Sequence, residues 1–566
     1  MKAIQKKITA LAEERRRILA LPPGQAMDAI ISSPDGQAIV HSMADQDFHL
    51  LVNGIGPDDA LELLSLASNR QWEYILDMEA WNREQIESKP VVTWFNLLME
   101  ADEDRFVTWM LTEKIDFLEL FLNYNIESGF RAHDQDASEI SDDYFTFDDI
   151  HYVRFVRREH PGSVVNKEDV AFRDDVLFRF LRKVAEKDHP AFQAILAYAA
   201  NVLPAEAEEE AYRLRSVRLA EKGLLPFAEA VGIYQPVRSG TPLPKKRKGV
   251  AVVDIRLPVP VTPSGLPDRE TVFSRALALI DSSQTLLELQ AEFAALCNRL
   301  AVADQLTIRE KRDLEHIVRK ACGYLHIGFT ELTGQTLPDP VRAAALMAGH
   351  FLADIFKTGY SRVTAVKSRA EKWYRNSWCR KNNLPVSFWG EERQGILGGL
   401  LVKRPLFCDA QRNGMFREFE GPADVAVAQR ALDQVMTLDA LLSVMGLDLS
   451  PVSQEVLTVE NLLLTLWARH HLGLPEIVDF IDIREFRPFL KELLGDDAGQ
   501  PVPAIGDDMK ESFAFWLAGR TGRAPEDIIQ DAGPVLESFF SGIVEEYGAV
   551  PPESLDPKFI DLFLVC

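Results

Sequence analysis

The sequence predicts a mainly α protein: N-terminal α-solenoid-like helix pairs with a small β-hairpin insertion, followed by further helical domains. Three observations carry that prediction. Apolar residues recur at helical spacing through most of the 566 residues. A segment between 57 and 121 partly repeats itself, and the clearest strand signal is confined to 144–153.

Pro57 stands where a first helical residue would, with Asp58 and Asp59 in the first turn, where carboxylates complement the positive helix end. Leu61, Leu64, Trp72, Ile75 and Leu76 follow at helical spacing, interrupted by a turn at Ser68-Asn69, so two short antiparallel helices are expected. Sliding the chain by 45 residues lays Phe106, Trp109, Phe117, Leu120 and Phe121 on those five positions, and Glu103 and Asp104 on the two aspartates. Between the copies Pro90 opens a third helix with Val91, Trp94, Phe95 and Leu98 on one face. The period lies within the roughly 40–47 residues of two- or three-helix solenoid units. No third copy is visible at 151, and about three units are needed for a continuous core, so a full array is not expected.

The run from Asp45 through Gly54-Ile55-Gly56-Pro57-Asp58-Asp59-Ala60-Leu61 to Gln71-Trp72 and Leu76-Asp77-Met78-Glu79-Ala80-Trp81 resembles the opening of an uncharacterised bacterial family of large acidic helical proteins, classed as a domain of unknown function. Phe356-Lys357-Thr358-Gly359-Tyr360-Ser361 resembles the same family, so the likeness extends over most of the chain. More distantly, the helix pairs are similar to the superhelical cytosolic domain of bacterial magnesium channels. Neither likeness implies a catalytic residue, and the second implies a fold only.

Composition narrows the function classes. With 62 basic against 86 acidic residues the formal net charge is −24, which opposes nonspecific attraction to nucleic acid or anionic lipid. Cysteines at 297, 322, 379, 408 and 566 are few and odd in number, which argues against a disulfide scaffold and for a reducing cytoplasm. No apolar run approaches the roughly 18–20 residues that span a bilayer. The expected organisation is a solenoid-like domain over 1–131, an acidic loop and hairpin over 132–160, a helical continuation over 161–235, a linker over 236–267, a central helical domain over 268–449 and a C-terminal helical region over 450–566. The linker carries seven prolines and the run Lys245-Lys246-Arg247-Lys248.

Within these segments, Tyr144–Phe147 and Ile150–Val153 read as strands around a two-residue Asp148-Asp149 turn. Phe172, Val176, Phe180 and Val184 share a helical face, as do Phe192, Ile195, Leu196 and Ala199. Residues 276–299 read as one long amphipathic run and 308–330 as another. Gly395, Gly398 and Gly399 fit turns. A helix over 459–471 closes before Gly473, helices follow at 509–519, 525–531 and 534–547, and the apolar tail 560–565 docks on the body.

No Walker loop, dinucleotide fingerprint, nucleophile elbow, zincin helix or paired CxxC motif occurs, so no catalytic residue, metal ligand or cofactor is assigned. Cys322 and His326, four apart, suit a pair of zinc ligands, but two ligands are no site and a packed thiol with a hydrogen-bonded imidazole is the plainer reading. The leading functional expectation is a cytoplasmic scaffold or adaptor that meets a protein partner through helix-pair grooves, with Trp72, Trp81, Trp94 and Trp109 as contact residues. The alternative is an enzyme or sensor holding an anionic small ligand in the basic aromatic stretch 357–408, with Trp373, Arg375, Trp378, Arg380, Lys381 and Trp389 as ligand contacts. A second alternative is a divalent-cation-responsive regulator using the acidic stretch 134–149, with His133 and His151 beside it.

Overall fold

Helix-forming periodicity decides the architecture: in the computed structural model, most of the described residues are helical. The structure describes all residues except 1, 83, 133–139, 157–165, 202–203, 239, 247–270, 336–338 and 496–504. Its residues fall into two compact units that interleave along the chain. One comprises Met1–Gln235, Leu243–Ala321 and Pro340–Asp354; the other comprises Pro236–Pro242, Cys322–Asp339 and Ile355–Cys566.

In the first unit, Pro57–Asp59 forms a single 3₁₀ turn, and the α-helix begins at Leu61 rather than at the proline. Gly56, at φ 108°, turns the chain out of the preceding Asp45–Ile55 helix. Ser68 caps the Asn69–Glu79 helix through a capping box with Gln71. The expected third helix starts at Ser88 and continues to Glu113, interrupted at Asp102 (φ −162°, ψ 88°), the position that a shift of 45 residues aligns with Pro57. Ile115–Asn125 completes the second copy.

The two copies meet through their rings. Trp72 lies 5.7 Å from Trp109, edge to face, and Phe95 lies 5.1 Å from Phe106 and 5.2 Å from Phe121. Phe180, on the Lys167–Lys187 helix, extends the stack at 6.0 Å from Phe106. The Trp72 indole N–H donates to the Leu64 carbonyl at 3.0 Å, so this large ring is buried with its polar atom satisfied.

The hairpin is part of a three-stranded antiparallel sheet. Ile126–Phe130 pairs with His151–Phe155, which in turn pairs with Phe145–Thr146. Sequence reading finds the last two and misses the first, whose IESGF lacks period-two alternation. The connection spans 147–150 instead of two residues, because Asp148 accepts from the backbone N–H groups of Ile150 and His151 and so holds a longer turn, with Asp149 at φ 59°. The expected run 276–299 is likewise divided, into Val272–Ala278 and Ser283–Asp304, the latter capped by Ser282. Lys246 of the basic tetrapeptide pairs with Glu292 at 2.7 Å; Arg247 and Lys248, with most of the expected linker, lie outside the described residues.

In the second unit, Lys311–Thr333 from Cys322 onward packs against Leu352–Asn376 from Ile355 onward at backbone distance. A Cβ on Gly359 would stand 2.0 Å from the Tyr324 carbonyl oxygen, and one on Gly328 would stand 2.2 Å from that of Ile355. Phe356 and Tyr360 flank the Tyr324 ring at 5.1 and 5.5 Å, and Ser361 accepts the Val237 backbone N–H at 2.8 Å. The 356–361 motif is therefore a helix-crossing device. Gly395, Gly398 and Gly399 lie inside the Glu391–Leu401 helix instead of in turns; a Cβ on Gly399 would meet the Leu406 carbonyl at 2.3 Å, so close approach is what selects that glycine. Pro534 does not divide the last helix, which runs from Pro525 to Tyr547. Helix Val459–His471 ends before Gly473, at φ 67°, and the tail docks with Phe563 and Leu564 buried and Val565 bridged to Ile481.

The crossing generates a prediction. Gly359→Ala gains about 1 kcal/mol of helix propensity yet destabilises the chain by about 1–3 kcal/mol through overpacking. Gly519→Ala, with nothing within 4 Å of the added carbon, is neutral or stabilising in the same urea titration.

Candidate functional site

The Asn69–Glu79 helix turns Trp72, Ile75 and Leu76 toward the core, which leaves Glu73 and Asp77, four apart, on a neighbouring face. The Pro204–Glu221 helix answers them. Arg218 grips Asp77 with two hydrogen bonds, at 2.8 and 2.6 Å, and reaches Glu73 at 3.2 Å. Arg215 donates to the Asp77 carbonyl at 2.6 Å, and Lys114 pairs with Glu73 from the start of the next helix. Burial opposes the Arg218 charge, but its hydrogen bonds to Asp77 and the carboxylates of Asp77 and Glu73 hold it above the usual guanidinium range. Arg215, with burial dominant, is lowered.

Beside this network lies a cleft of about 70 Å³. Leu76, Phe117, Ala211, Leu214 and Trp81 give it apolar surface; Glu113 and Asp116 stand exposed among its lining residues. Small-molecule sites enclose roughly 300–1,000 Å³. This volume instead suits the end of one side chain. Leu214 and, one turn on, Val217 are 37% and 50% exposed, an apolar edge on an otherwise charged helix.

Of the four tryptophans expected to contact a partner, Trp72, Trp94 and Trp109 are interior, at 0%, 5% and 2% exposure. Their spacing reflects the core: the two copies bury these rings in each other or against adjoining helices, which leaves no indole face for a guest. Trp81 alone is half-buried and lines the cleft, with the Tyr212 ring at 6.1 Å and the Arg215 guanidinium 5.3 Å from its centroid. Glu113, Asp116, Leu214 and Arg218 were invisible to sequence reading, since Asp77 and Arg218 lie 141 residues apart.

The basic aromatic stretch is organised by a buried acid. The Asp439 carboxylate accepts from the Trp373 indole at 3.1 Å and from the backbone N–H groups of Trp378 and Cys379, each at 3.2 Å. Trp373 meets Trp389 at 5.9 Å, and Trp378 meets Phe388 at 6.0 Å. Trp389 is fully buried, and the Trp373–Trp389 contact is edge to face. Arg375, Arg380 and Lys381 are exposed; Arg380 lies 5.4 Å over Tyr374, and Lys381 lines an open groove that also contains Asp448 and Glu455. Burial, with Asp439 nearby, pushes the Cys379 thiol up to about 12.

Of the acidic stretch, His133, Asp134, Asp136 and Glu139 lie outside the described residues. Asp148 binds the His151 ring at 2.8 Å and lies 3.3 Å from His189. Burial would raise its carboxyl, but the backbone N–H and ring of His151 and the N–H of Ile150 outweigh burial and hold it at about 2. Cys322 is buried, its thiol pushed up to about 12 by desolvation. Among the described residues, no group of three or more His, Cys, Asp or Glu side chains is placed to hold a metal ion, and no helix is long and apolar enough to cross a membrane.

A model of a family of unknown function spans residues 2–566. No curated protein and no solved structure matches the chain.

Two outcomes follow from the buried acids. Asp439→Ala leaves three donors without their acceptor and costs about 2–4 kcal/mol in urea unfolding read by tryptophan fluorescence. For Asp148, a depressed carboxyl stabilises fully above its ordinary 3.8 and loses that contribution as pH falls toward about 2. The stability difference between the native chain and Asp148→Asn therefore shrinks between pH ~4 and ~2 in acid titrations.

Proposed function

Because the chain belongs to the family of unknown function DUF6178, it inherits no activity from its relatives, and we propose that it is a helical scaffold or adaptor that receives a segment of a protein partner at the cleft between the Asn69–Glu79, Ile115–Asn125 and Pro204–Glu221 helices. The observation that carries this reading is the pairing of a small apolar cleft with an exposed apolar edge at Leu214 and Val217. Side-chain-sized pockets beside an apolar helical edge suit anchor residues of a partner segment. The charges inside the cleft already satisfy one another: Lys114 and Arg218 are engaged by Glu73 and Asp77. A reaction would require poised acids, bases or nucleophiles. Here Glu73, Asp77, Lys114 and Arg218 are spent on holding helices.

A photo-crosslinking amino acid placed at Leu214 of the full chain in its native cells tests the reading. The expected result is a discrete protein adduct absent when the same probe replaces Val444, a surface position more exposed than Leu214 at 59%. Identical adducts from both positions, or adducts from neither, would overturn it.

A further inference from the structure

The geometry points to the identity of the anchor: the cleft takes an arginine side chain projecting from an otherwise apolar partner segment. This inference rests on the scaffold reading and deepens it. Both cations that line the cleft, Lys114 and Arg218, are committed to Glu73 and Asp77, so an anionic guest would find no charge to meet. At the rim the balance is reversed. Among the described residues, Glu113 and Asp116 enter no ion pair; Glu113 accepts from the side-chain amide of Asn69 at 2.8 Å and lies within the field of the Arg105 guanidinium. One turn beyond, burial, and after it the Asp116 carboxylate, raises the Glu119 carboxyl.

Shape agrees with charge. The roughly 70 Å³ available admits a guanidinium and part of its stem. Phe117 and Leu214 would cover the aliphatic carbons while the planar head meets carboxylates, the division of surface that long cationic side chains favour. Val217 extends the apolar edge for the residues flanking the arginine. A cation held by two rim carboxylates also gains from the −24 net charge of the chain during encounter, a contribution that salt removes.

Fluorescence anisotropy with the full chain tests the assignment, using a labelled peptide of alanine and leucine bearing one central arginine. The peptide binds at low salt, and Glu113→Gln with Asp116→Asn weakens it about five- to tenfold. Glu526→Gln with Asp527→Asn removes the same charge from an exposed helix start elsewhere and leaves binding unchanged. No binding, no loss in the rim variant, or equal loss in both variants overturns the inference. The unlabelled peptide should also compete with the adduct formed at Leu214. If a protein adduct forms there and the peptide does not compete, the scaffold reading stands and the arginine assignment falls.

Discussion

The ring contacts between the two helix-pair copies are the constraint on which the N-terminal structure depends. Trp72, Phe95, Phe106, Trp109 and Phe121 bury one another at centroid separations that allow edge-to-face and tilted packing. A single helix pair cannot bury an apolar stripe of that size alone; a second pair in register can. Truncating such a ring typically costs about 3–5 kcal/mol. Arg105, 4.0 Å above the Trp72 ring and hydrogen-bonded to the Asn69 side chain and the Ser65 carbonyl, links the stack to the turn that joins the first pair. Once those rings are inside, Trp81 is the one of the four tryptophans left half-buried beside the cleft.

The Asn69–Glu79 helix also carries charge, with Glu73 and Asp77 on a face neighbouring the core stripe and Glu79 on the core side at its end. Glu73, Asp77 and Glu79 follow the helix while Trp72, Ile75 and Leu76 fill the core, so one stretch of sequence supplies both. Asp77 and Glu79 are buried, and each has a cation: Arg218 for the first, Arg309 at 2.7 Å for the second, with His49 also on Glu79 at 2.9 Å. Burial alone would raise the Glu79 carboxyl; His49 and Arg309 outweigh it and hold it low. Such pairs add little net stability, but separating either partner is expensive, so they penalise arrangements in which the distant helices dock out of register. The cleft is shaped by this locking.

The parts of the fold legible in the sequence are those that short-range periodicity controls. The repeat, the Ser68 turn, the two hairpin strands and the close of the helix before Gly473 each follow from residues within a few turns. What was not legible depended on partners far along the chain. Ile126–Phe130 is a strand because His151–Phe155 pairs with it. Gly395 and Gly399 look like turn residues until Cys408 and the Leu406 carbonyl are placed against their helix. The candidate site suffered the same blindness: aromatic spacing marks the tryptophans, but spacing does not say which face becomes interior, and of the four only Trp81, just past the end of the helix, stayed near the surface.

The basic aromatic stretch illustrates how a local pattern acquires its meaning from one remote residue. Trp373, Trp378 and Trp389 interleaved with Arg375, Arg380 and Lys381 read equally as a ligand cradle or as a helix with its rings inside. Asp439 decides between them, because a buried carboxylate must be satisfied and its donors are the Trp373 indole and two backbone N–H groups at the start of Trp378–Lys381. That requirement fixes one indole directly and places the short helix against the Pro422–Val444 helix that carries the acid. Trp389 then packs on Trp373, Phe388 on Trp378, and the cations are left facing water. A stacking platform needs an open ring face and converging charge. Here Trp373 meets Trp389 edge-on, Trp378 meets Phe388 at a tilt, and the Asp439 carboxylate takes up the Trp373 indole N–H.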